Sequence, residues 1–113
     1  MSDRIIWKIR SVKSYPEAHN HLLVGQVIER DNACIKVFGR SFHFGKLVHR
    51  KREVVMGRLA TRIIPWSRVE IINELPAGFD FQSARLIEDE QGKVVFSDGE
   101  NACNIASAQS RPY

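Results

Sequence analysis

Cysteine is scarce: Cys34 and Cys103 are the only two in 113 residues. One sits in a strand-like run and the other in a polar stretch, so no disulfide framework organises the chain. Long apolar runs are missing too, and nothing approaches the roughly 20 residues a membrane-spanning helix needs. The first ten residues, MSDRIIWKIR, have neither an apolar signal region nor a small-residue cleavage site. These absences lead us to expect a cytoplasmic protein with reduced thiols and no membrane partner. Catalytic signatures are equally lacking: there is no G-x-S-x-G elbow, P-loop, H-E-x-x-H or paired-cysteine motif. The reading is therefore of a non-enzymatic protein without a cofactor. An enzyme whose site only the fold assembles, or a small-ligand protein, stays as a further alternative.

What is present is ordinary for a globular chain. Hydrophobic residues make up 43% and charged residues 27%, which argues against global disorder. At 13.0 kDa the chain suffices for one core and is too short for two. The net charge is +4, but it is unevenly spread. Between Phe44 and Arg68 lie seven basic residues (Lys46, Arg50, Lys51, Arg52, Arg58, Arg62 and Arg68) against one acid, Glu53. Between Asp80 and Glu100 six acids face only Arg85 and Lys93. Such asymmetry fits either an anionic partner for the basic half or two segments that pack beside each other.

Hydrophobic periodicity points to strands. Ile5, Trp7 and Ile9 alternate as in a strand, although Ile5, Ile6, Ile9 and Val12 also fit a short helix. Tyr15-Pro16 ends this segment, and a polar loop follows. Leu22–Glu29 reads as a strand bent at Gly25, Asp31-Asn32 as a turn, and Cys34–Phe38 as the returning strand. Gly39 closes that hairpin, and Arg40–Phe44 continues with Phe42 and Phe44 on one face. Lys46–Arg52 (KLVHRKR) forms a loop or hairpin tip, and Val54–Ile64 resumes extended structure with a kink at Gly57. In RIIPWSRVEII, Pro65 cannot donate to a ladder and suits a 3₁₀ turn. Pro65-Trp66-Ser67-Arg68 is thus expected to be a corner held by Ser67, after which Val69–Leu75 runs on as a strand. Ala84–Glu88 and Lys93–Ser97 form a hairpin around Asp89–Gly92. Residues 100–113 are small, polar and aperiodic, and are expected to be a flexible tail.

LVGQVIERDNACIKVFGRSFHF, with its early glycine, followed by RIIPWSRVEII, with its proline-bearing turn, resembles the two halves of an Sm-like or SH3-like small barrel. The resemblance spans about residues 21 to 76. It implies an all-β, strongly bent antiparallel barrel, to which the patterning outside it adds a C-terminal hairpin (79–99) and a short N-terminal helix or strand, all in a single domain (1–99). It also implies RNA binding and oligomeric assembly as family traits. RNA-binding members carry an Arg-Gly pair near the last turn, where this chain has Pro65-Trp66-Ser67-Arg68, so their base-reading residues do not carry over.

The basic run is the leading functional candidate. Clustered cations attract phosphates whatever the sequence, and nearby aromatic rings can stack bases. The expected nucleic-acid-binding residues are Lys46, Arg50, Lys51, Arg52, Arg58, Arg62 and Arg68, with Trp66 and Phe44, and secondarily Phe42, as stacking platforms. Against this, alternation would bury Phe42 and Phe44, and a charged hairpin tip serves solubility alone. His19 and His21 would share a strand face, but no third ligand accompanies them, so no metal is expected. The sequence thus points to a binding or assembly module contacting RNA. The rival is a protein–protein or homo-oligomeric module that uses a sheet edge or the acidic terminal hairpin.

Overall fold

The computed structural model describes residues 4–13, 18–46, 48 and 50–107. The Tyr15-Pro16 break, Leu47 and His49 of the basic run, and residues 108–113 lie outside the described residues. Among the described residues nine strands follow in order: β1 (Ile6–Ser11), β2 (Asn20–Arg30), β3 (Cys34–Phe44), β4 (Val55–Met56), β5 (Ala60–Pro65), β6 (Val69–Leu75), β7 (Arg85–Glu88), β8 (Lys93–Ser97) and β9 (Ala102–Ser107). Two 3₁₀ turns, Lys51–Glu53 and Trp66–Arg68, are the helical segments among the described residues. The protein is all-β with antiparallel pairing throughout. No described helix is long and apolar enough to cross a membrane.

β1 is a strand, and the helical alternative is not adopted. Its ambiguity has a physical cause: Ile6 and Ile9 are both fully buried, one in each of two core clusters. A strand covered on both faces loses the clean alternation that marks a half-exposed one.

The long β2–β3 hairpin organises the molecule. Asp31 makes its turn, accepting the Ala33 and Cys34 amides at 2.8 and 2.9 Å. β3 runs unbroken through Gly39 to Phe44, so that glycine does not end the strand. Gly25 and Gly39 are register partners, and the bend expected at Gly25 is a two-glycine crossing. Toward the Asp31 turn β3 pairs with β5, at its far end with β4, and β1 pairs with β2 from Leu22 to Gln26.

The expected closed barrel does not form. Strands run β4-β3-β2-β1-β6, with β5 also on β3, and β5 does not pair with β6. The corner between them uses its backbone groups elsewhere: the Trp66 amide donates to the Ala33 carbonyl (3.1 Å), and the Arg68 carbonyl accepts from Val12 (2.8 Å). Pro65 at its entry has no N–H to offer. The corner at Pro65–Arg68 is as expected, but its ties come from Trp66 and Arg68, while Ser67 lies exposed. The Trp66 indole N–H donates to the Asp31 carbonyl at 2.7 Å, and the Arg68 guanidinium to the Val12 carbonyl at 3.2 Å.

The terminal hairpin forms as expected, with Asp89 accepting the Gln91 and Lys93 amides and Gly92 at φ +82°. It gains a third strand, because residues 102–107, expected in the tail, are β9 paired with β8. Cys103, Ile105 and Ala106 are buried there, and that burial orders a segment of low intrinsic strand preference. This meander lies over the outer face of β1–β3, joining Leu22, Val24, Phe42 and Phe44 to Phe79, Phe81, Val94 and Phe96 in the larger cluster. Phe96 meets Phe42 and Phe79 edge-on at 4.9 and 5.7 Å between centroids. Each such ring contributes about 1.5–3 kcal/mol by burial. The smaller cluster, Ile9, Leu23, Ile35 and Val37 with Trp7, Ile64, Trp66, Val69 and Ile72, fills the inside of the curl.

Candidate nucleic-acid interface

The basic segment follows directly from β3. Val48 and Val54 are buried in the larger cluster at 1% and 6% exposure, pinning the segment at two points. The charged residues around these anchors have nowhere to point but outward, and Lys46, Arg50, Lys51 and Arg52 are all exposed. A 3₁₀ turn over Lys51–Glu53 fixes their spacing. Glu53 accepts the Arg50 amide at 3.0 Å and Glu88 of β7 accepts the Lys51 amide at 2.8 Å. The basic and acidic segments therefore do adjoin. They meet through a backbone amide, which leaves the Lys51 ammonium out of the contact. None of these four cations has an ion pair or side-chain hydrogen bond with a described residue.

The other expected cations divide. Arg58 is exposed on the link between β4 and β5. Arg62 is half-buried and turned inward: it donates to the carbonyls of Gly39 (2.8 Å), Ala60 (3.3 Å) and Arg58 (3.3 Å) and to the Ser41 hydroxyl (3.4 Å). A guanidinium so engaged ties β3 to the β4–β5 link and has few donors left for phosphate. Arg68 keeps an exposed guanidinium at the corner, with one tie to Val12.

The aromatic platforms are not where the sequence placed them. Phe42 and Phe44 are 0% and 6% exposed, because β3 turns its even-numbered face onto the meander. Trp66 packs on the smaller cluster and its N–H is taken by Asp31. Instead, the structure brings together two rings that were not expected to pair. His21 of β2 and His43 of β3 are direct cross-strand partners, stacked at 3.8 Å between centroids and 25° between planes. His21 is exposed, as is His19. Burial first, and then the charges of His43, His19 and Arg68, hold the His21 imidazole below its ordinary pKa. His43 lies three residues before Lys46 in the chain, and β4 places Val55, two residues past the 3₁₀ turn, opposite His43.

Among the described residues, no group of three or more His, Cys, Asp or Glu could hold a metal ion. Burial lifts the Cys103 thiol to about 11, so it is no nucleophile at neutral pH. Compared with known proteins, the chain matches no family model, no curated protein and no solved structure.

Proposed function

We propose that this protein is a non-enzymatic binding module of the cytoplasm that contacts single-stranded RNA through its basic segment. One observation carries the reading: Lys46, Arg50, Lys51 and Arg52 are exposed and unpaired with described residues on a segment anchored by Val48 and Val54. Pre-set cations lose little side-chain and loop entropy on meeting phosphates, and each one neutralising a phosphate releases counterions. Arg58 extends the same charge along the edge, and Arg68 adds a cation at the corner. Arg62 supports the scaffold and does not belong to the contact set.

The strand order β6-β1-β2-β3-β5, with a 3₁₀ corner joining the outer strands, supports reading the curl as an open variant of the Sm-like or SH3-like small barrel. The test is fluorescence anisotropy with a labelled single-stranded RNA at low and moderate salt. Binding that weakens steeply with salt supports the reading, and no binding at low salt removes it.

A second reading, a protein–protein or homo-oligomeric module, has its own observation. β5 and β6 each keep an edge that pairs with no other described strand, and Ile63 and Ile71 on them are 64% and 50% exposed. Unpaired edges with exposed β-branched residues are templates for strand addition. Defined oligomers that persist at high salt would favour it.

A further inference from the structure

The stacked histidines ask for an explanation that packing does not supply. His21 is exposed, so its ring contributes little to the core. Two imidazoles 3.8 Å apart cannot both carry a proton cheaply, because like charges at that separation repel by about 1 to 4 kcal/mol between water and a partly screened surface. The titratable and charged groups reaching His21 add to the difficulty. His19 just before β2, His43 on β3 and Arg68 at the corner are cationic or can become so, and β4 sets the apolar Val55 opposite His43. Among the described residues, no carboxylate is among the charges acting on His21. Within that set the charge is positive and uncompensated.

An anion resolves this arrangement. A phosphodiester oxygen beside the pair lets the rings take up protons, and the charges of Arg68 and His19 that act on His21 favour it further. His21 is exposed and offers a ring for a base to stack on, the platform that Phe42, Phe44 and Trp66 do not provide.

We infer that His21 and His43, with His19 and Arg68, form an acid-strengthened site for one phosphate of single-stranded RNA, continuous with the basic segment. The inference rests on the RNA reading above and deepens it. The phosphodiester stays ionised throughout the range concerned, so the protons that change on binding belong to the histidines. Binding with proton uptake strengthens as pH falls through the free histidine range, below about 6.5. If bound phosphate raises one imidazole by about one pH unit, affinity gains up to about tenfold across that window.

The experiment measures anisotropy of a labelled oligouridylate, whose bases do not gain protons here, at about pH 7.5 and about pH 5.5 at constant ionic strength. It compares wild type, His21→Gln, His43→Gln, and a variant with Arg50, Lys51 and Arg52 changed to Ser. Melting curves confirm that each variant is folded, and His21→Gln, at an exposed position, keeps the test available if His43→Gln is not. In parallel, proton NMR follows the histidine ring resonances through pH with and without the same RNA.

The inference expects about tenfold tighter wild-type binding at the lower pH, loss of that gain in both histidine variants, and titration of His21 and His43 moved upward by RNA. RNA binding that is independent of pH, or a gain that survives in the histidine variants, overturns the inference and leaves the basic segment as the RNA contact. No binding at either pH, with histidine titrations unmoved by RNA, overturns both.

Discussion

Gly25 and Gly39 face each other across the β2–β3 hairpin so closely that a Cβ built on either lies 2.6 Å from the Cα of the other. Each such Cβ would also meet the partner strand's backbone carbonyl, that of Phe38 or Val24. Neither glycine has a positive φ, so what excludes a side chain here is space and not backbone strain. The crossing lets one hairpin serve two directions, and it places the His21–His43 end away from the Asp31 turn.

Gly25→Ala is therefore expected to destabilise the fold by about 2–3 kcal/mol or more, since both neighbours are backbone and cannot swing aside. Chemical denaturation checks this. A variant as stable as wild type would show that the strands are further apart at the crossing.

Arg62 separates the scaffold from the proposed contact. Arg62→Lys removes the forked donor set that reaches Gly39, Ala60, Arg58 and Ser41, and should lower stability by about 1–2 kcal/mol. The charge is kept, so the salt dependence of RNA binding should stay unchanged. Stability untouched and RNA affinity lost would return Arg62 to the interface.

Asp98 ties the Phe79–Phe81 segment to the end of β8. Its carboxylate accepts the amides of Asp80 (2.8 Å), Asn101 (2.6 Å) and Glu100 (2.8 Å). Those bonds, Asp80's foremost, pull its pKa down to about 2. The folded state thus holds this proton less tightly than the unfolded chain, whose carboxylate titrates near 3.8. The stabilisation is complete above that value and is lost as pH falls toward about 2. Melting temperatures measured from neutral pH downward should fall through this window in wild type. Asp98→Asn should start lower and fall less there, and parallel curves would contradict the assignment.

Much of the fold was legible in the sequence. Pro65 signalled the corner and the Asp89–Gly92 turn the terminal hairpin, because each is a local event fixed by backbone chemistry, whereas Gly25 marks a close backbone approach to Gly39. β9 was not legible: ACNIAS holds one β-branched residue, Ile105, and its strand state comes from pairing with β8. The histidine pair was hidden by one residue. Pairing at the turn, Arg30 with Ile35 and Glu29 with Lys36, would continue to set His21 opposite Phe44, but a bulge at Ile28 shifts the register and brings His43 there instead. Bulges of this kind leave almost no sequence trace. Arg62 looked like its basic neighbours because charge is visible in a sequence and hydrogen-bond partners are not.

The central claim is that position, and not net charge, makes the basic segment the RNA contact. The most direct measurement compares two variants with equal charge loss by anisotropy at low salt. One replaces Arg50, Lys51 and Arg52 with Ser, and the other replaces Arg30, Lys36 and Arg85, exposed or half-exposed residues outside that segment. The account predicts that the first loses RNA affinity by at least about a hundredfold, with a salt dependence shallower by up to three phosphate contacts' worth, roughly 0.7 per contact. The second should stay within a few-fold of wild type. Equal losses in the two variants would contradict the account and reduce the interaction to the overall charge of the protein.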